Sequence, residues 1–213
     1  MHQPGGARKS INIMVYKKKC VVSLIANDRP LREHFNEQTK EDEVYLAFGS
    51  EYKIRVNNRN NSNRIAVRIY IDGTDVLGGS HLIVNANSSI DLERFLGNDN
   101  DSGKRFKFVS VNDSKVNDPE SSDNGLVTVD FYEVEEPYTI IWSSNDLYMW
   151  PPNVDNISYS CCRSAVPSAD VGATVEGTVS NQSFTNVDVD IKPNAFCSLS
   201  LRMKGVNKGD LLT

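Results

Sequence analysis

Apolar and polar residues alternate with a period of two along much of this chain. Over residues 51–57, Tyr52, Ile54 and Val56 fall on one face and Lys53 and Arg55 on the other. Over Ile65–Ile71, Ile65, Val67, Ile69 and Ile71 oppose Arg68 and Tyr70. Successive side chains of a strand point to opposite faces, so each pattern predicts a half-buried strand. The run CVVSLIA at Cys20–Ala26 is apolar throughout and predicts a strand buried on both faces; VYLAF at 44–48 predicts the next strand. Further strands are expected at 81–84, at 88–92, around Phe106, Phe108 and Val109, and over GLVTVDFYEVE at 125–135.

Turn signals separate these strands. Asn27-Asp28-Arg29-Pro30 reads as a turn, and Asp72-Gly73 as a hairpin turn, because glycine takes a positive φ without steric cost. The acidic stretch 37–43 and the polar segments 97–103 and 113–124 read as surface loops. Short strands recurring at this spacing, with turns between them, predict an all-β fold: an antiparallel, jelly-roll-like β-sandwich over residues 20–135.

The texture changes after it. Residues 136–170 hold PYTIIWSSNDLYMWPPN, with Trp142, Tyr148 and Trp150, and then the vicinal Cys161-Cys162. This connector reads as a linker, or as a strap closing the sandwich. An aromatic run of this kind also suits stacking on sugars or filling a partner's groove. Residues 171–213 carry two more alternating strands and read as a C-terminal β-hairpin module. A lone hairpin is marginal in water, so this one must dock on the first domain, on a partner or on another copy.

Composition adds limits. Asparagine makes up roughly one residue in ten, which favours turns over helix interiors. A net charge of −5 gives no general attraction to nucleic acid. The first 19 residues are the exception: Arg8, Lys9, Lys17, Lys18 and Lys19 crowd there without a carboxylate. They form a basic arm, read as a solvated segment or as one that reaches an acidic neighbour or a polyanion. No secretory signal or membrane-spanning apolar run is visible, so the four cysteines are expected to be reduced.

Candidate chemistry is sparse. His2, His34 and His81 have no metal-ligand spacing, and His34 beside Glu33 reads as a solvated loop histidine. Cys161-Cys162 does not suit the two-plus-two geometry of a zinc site. The carboxylates Glu133, Glu135 and Glu136, with Asp188 and Asp190, offer oxygen ligands for Ca²⁺ but equally make an exposed polar face. Gly78-Gly79-Ser80 lacks the following Gly-Lys of a phosphate loop. No catalytic residue, cofactor or metal is expected.

Several motifs together resemble a known type of domain. Arg29-Pro30-Leu31-Arg32-Glu33, Gly49-Ser50-Glu51-Tyr52 followed by IRVNN, RIAVRIYIDGTDVLGG, Glu93-Arg94-Phe95, Arg105-Phe106-Lys107-Phe108 and Gly125-Leu126-Val127 occur in that order. They resemble a little-characterised β-sandwich domain of large DNA viruses, phages and some bacteria. Gly172–Gly177 and 180–184 (SNQSF) resemble the short tail module that accompanies it. The resemblance implies a non-enzymatic structural protein of the virion, a minor capsid or capsid-associated component that contacts capsid subunits or copies of itself, and is otherwise cytoplasmic. It carries no catalytic residues to transfer. The basic arm and Trp142, Tyr148 and Trp150 remain the expected partner contacts, and a soluble carbohydrate-binding module is the alternative.

Overall fold

The computed structural model describes residues 15–96, 101–135 and 169–207. In chain order its strands are β1 (Val15–Lys17), β2 (Cys20–Ala26), β3 (Arg29–Pro30), β4 (Glu33–Asn36), β5 (Glu41–Ala47), β6 (Glu51–Asn58), β7 (Ile65–Ile71) and β8 (Thr74–Asp75). They continue as β9 (Leu82–Val84), β10 (Ser88–Leu92), β11 (Gly103–Ser110), β12 (Leu126–Glu135), β13 (Asp170–Ser180), β14 (Asp190–Ile191) and β15 (Cys197–Val206). The fold is all-β, and the expected antiparallel, sandwich-like architecture is present.

One half of the sheet runs β1-β2-β6-β11-β13, and the other runs β15-β12-β7 with β5 and β4 beyond β15. Strand β13 joins the halves: Asp170 and Val171 pair with Gly205 and Lys204 of β15, and the strand then crosses to β11. Between the halves lies one apolar cluster that includes Leu24, Ile54 and Val56 from the first and Ile69, Phe131 and Leu201 from the second. The inward faces expected for β6 and β7 are the buried ones. The C-terminal strands dock on the first domain by joining its own sheets. Strand β15 lies between β12, which it meets antiparallel, and β5, which it meets parallel.

Three hairpin turns set the registers. Lys18 and Lys19, Asn27 and Asp28, and Asp72 and Gly73 all have positive φ, between 50° and 75°. Two such residues in a row make the type I′ turn whose twist matches that of paired strands. Lysine is an uncommon choice there, since a left-handed residue with a Cβ costs about 1 kcal/mol. Lys18 is tied down by a bond from its Nζ to the Phe196 carbonyl at 2.9 Å.

Two expectations need correction. Residues 41–43 are the start of β5 and not a surface loop, and Glu43 is 4% exposed. Its carboxylate accepts from the Asn36 side-chain amide at 2.9 Å and from Tyr45 Oη at 2.7 Å, which compensates the burial. His34 is a half-buried residue of β4, edge-on to Tyr45, and burial followed by the nearby Arg32 pulls its pKa below 6.5.

The motif residues act as clasps between the early strands and the C-terminal ones. Asp72 accepts from the backbone N–H of Gly125 at 2.7 Å and of Thr174 at 2.6 Å. Glu51 accepts from Thr178 N at 2.6 Å, beside the bulge between β11 and β13, where the missing Cβ of Gly177 leaves room for the carboxylate. The third clasp joins Glu93-Arg94-Phe95 to the SNQSF segment. Gln182 donates to Asp91 O and accepts from Glu93 N, Ser180 Oγ donates to Glu93, and Arg94 donates to the carbonyls of Gln182, Phe95 and Ser102. Arg94 is 0% exposed and lies over the Phe184 ring.

Candidate binding cleft

At one end of the sandwich the β1–β2 turn, the Asn-rich loop 59–64, the end of β12 and β14 surround a cleft of about 910 Å³. Asn58 builds one wall. It is fully buried, its side-chain nitrogen donates to the carbonyls of Asn63, Val84 and Asn85, and its oxygen accepts from Asn60 N. That one amide fixes the loop by supplying the bonds a turn otherwise leaves to water. The opposite wall forms where Val134 and Glu135 pair with Ile191 and Asp190.

The lining mixes both signs of charge around an apolar part. Lys18, Lys192 and Arg64 stand among Glu133, Glu135, Asp188 and Asp190, with Cys20, Ile65 and Phe196 between them. Lys192 and Glu133 form an ion pair at 2.5 Å. Cys20 and Cys197 are free buried thiols that contact the carbonyls of Lys18 and Lys17. Burial, then the nearby Cys197, pushes the Cys20 thiol up to about 12, so it is a poor nucleophile. Such a cleft suits a ligand that offers hydroxyls to amides and carboxylates and a small apolar surface to Phe196.

The four acidic side chains read as Ca²⁺ ligands or as a polar face share this cleft, Glu136 lying outside the described residues. Among the described residues no group of three or more His, Cys, Asp or Glu is placed to hold a metal ion. A smaller hollow of about 300 Å³ beside Asp28, Glu51, Lys53 and Arg105 is occupied by its own network. There Lys53 reaches Asp28 and Glu93, and Arg105 also reaches Glu93.

Of the partner-contact residues expected from the sequence, Lys17, Lys18 and Lys19 are exposed at the β1–β2 hairpin, where Lys18 lines the cleft. Arg8, Lys9, Trp142, Tyr148 and Trp150, like Cys161 and Cys162, lie outside the described residues. Glu135, the last described residue before the aromatic connector, lines the same cleft as Lys18. The basic turn and the end of β12 therefore meet at this cleft. Among the described residues no helix is long and apolar enough to cross a membrane. Comparison with protein families, with characterised proteins and with solved structures finds no match to this chain.

Proposed function

We propose that the chain is a non-enzymatic structural protein, a minor capsid or capsid-decorating component of a large DNA virus that grips neighbouring capsid subunits or copies of itself. The observation that carries this reading is the position of β1. It is the last strand of its half of the sheet among the described residues, and the basic arm runs directly into it. An edge strand presents backbone donors and acceptors to whatever lies alongside, and this edge beside the exposed Lys17, Lys18 and Lys19 supports strand addition by a neighbour or contact with an acidic one. The motif residues Asp72, Glu93, Arg94 and Gln182 are engaged in internal bonds, which supports a scaffold role for them.

The test is a particle-binding assay with a chain that lacks residues 1–14, because β1 and the core are retained. Loss of binding with unchanged thermal unfolding is expected, and undiminished binding refutes the reading. A deletion starting at 170 is no test of contact, since it removes core strands.

A carbohydrate-binding module is the second reading, and the mixed polar cleft favours it. On a glycan array it requires a signal that falls at least tenfold in Asn63→Ala, at the cleft wall, or in Trp150→Ala. An array without signal removes it.

A further inference from the structure

Strand β15 occupies a slot. Its two neighbours, β12 and β5, both belong to the first 135 residues, and β13 runs along the edge of β11. The pair β13 and β15 is bonded to itself at only two positions, so the slot and the three clasps hold it in place. The covalent link between acceptor and inserted strands is the run from Glu135 to Asp170, with 170 − 135 − 1 = 34 residues between them. Phe131 faces Cys197, so Glu135 lies four positions beyond it in one direction and Gly205, the partner of Asp170, eight in the other. Twelve strand residues span about 40 Å at 3.3 Å each. A chain of that length reaches about 115 Å when extended, so the slot of an adjacent molecule is within covalent reach.

We infer that residues 170–206 are an exchangeable element, and that the slot formed by β5, β11 and β12 of one copy takes β13 and β15 of a second copy, so that the two chains complete each other's sandwich. The bonds are the same in both arrangements, and concentration decides between them. A tethered segment competes at an effective concentration on the order of millimolar, so the chain closes on itself when dilute and exchanges where copies are crowded. The inference deepens the assembly reading and rests on it for the crowding, with a second copy of this chain as the partner.

Thr128 and Ser200 face each other on β12 and β15, with their hydroxyl oxygens 3.1 Å apart. Two full-length chains, one with Thr128→Cys and the other with Ser200→Cys, are refolded together at rising concentration and oxidised with diamide, which takes up the two thiol hydrogens. A 128–200 disulfide between them forms by exchange or by surface collision, and the order of folding and mixing separates the two. The expected result is a linked dimer whose yield rises to about one-tenth near 0.1 mM and which does not form when the chains are folded separately and then mixed. Equal linkage after separate folding overturns the inference, because surface collision explains it. Light scattering on the unsubstituted chain, unfolded and refolded at each concentration, gives a second readout: a mass that stays monomeric into the millimolar range overturns the inference whatever the cysteines do. A chain that fails here yet needs its arm to bind particles keeps the contact reading and loses exchange alone.

Discussion

Replacing Asp72 by asparagine isolates a buried charge from the shape that carries it. Asn tolerates the left-handed φ of 51° at this turn position. Its amide oxygen serves one of the two backbone donors, Gly125 N or Thr174 N, and its NH₂ faces the other. That mismatch costs about 1–3 kcal/mol at every pH, the usual penalty for a buried donor without an acceptor. The charge adds a part that varies with pH. Burial raises the Asp72 carboxyl from 3.8 to about 6, and Asp123 adds to the rise, against the pull of the two N–H donors and of Arg202. A folded pKa above the unfolded one means that the native chain keeps a proton between pH 4 and 6 which the unfolded chain has released. The stability from this group is therefore complete below about pH 4 and is lost as pH rises through about 6. Two pKa units correspond to about 3 kcal/mol. Urea unfolding of both proteins at pH 4, 5, 6 and 7 reads the difference directly. The stability advantage of the wild type over Asp72→Asn should shrink by about 3 kcal/mol between pH 4 and 7, and can reverse sign. A difference that is constant with pH refutes the argument, as does an Asp72 carboxyl found by NMR to titrate below 4.

Other substitutions separate structural bonds from surface ones. Gln182→Ala strands Asp91 O and Glu93 N and should cost about 2–4 kcal/mol in chemical unfolding, whereas a cost below about 0.5 would mean the clasp is idle. Gly125→Ala should cost about 3 kcal/mol or more, because φ is +78° and the new Cβ would lie 2.6 Å from Met203 O. Gly49→Ala, at φ +84° with nothing within 4 Å, should cost only about 1 kcal/mol by the same measurement. The Arg55–Asp91 pair is bidentate at 2.6 and 2.8 Å, but its side chains are 42% and 30% exposed. A double-mutant cycle should give less than about 1 kcal/mol of coupling.

Local pattern carried the strands and hid their partners. The period-two faces of β6 and β7, the continuous apolar run of β2 and the Asp72-Gly73 turn were all legible, since each depends on a few adjacent residues. The turn at Lys18 and Lys19 was not, because lysine is no turn signal and its anchor, the Phe196 carbonyl, lies far along the chain. Glu41 and Glu43 read as loop for the same reason. The buried acceptor role of Glu43 depends on Asn36 and Tyr45, and Glu41 is held by a bidentate contact with Arg202 of β15. Asp72 was visible as a turn residue, but its bonds to Gly125 and Thr174 span 53 and 102 positions. The cleft followed this rule as well: the convergence of Asn58, Lys18 and Glu135 required the sheets to be assembled.

The central claim is that the C-terminal strands and the early ones form one cooperative sandwich. Native-state hydrogen exchange tests it most directly. The amides of Leu199 and Leu201 in β15 should open with the same free energy, within about 1 kcal/mol, as those of Ile54 and Val56 in β6, because all four residues belong to one core. Exchange from β15 at several kcal/mol below β6 would contradict the account, and would mean that residues 170–206 are an appendage that comes away while the rest stays folded.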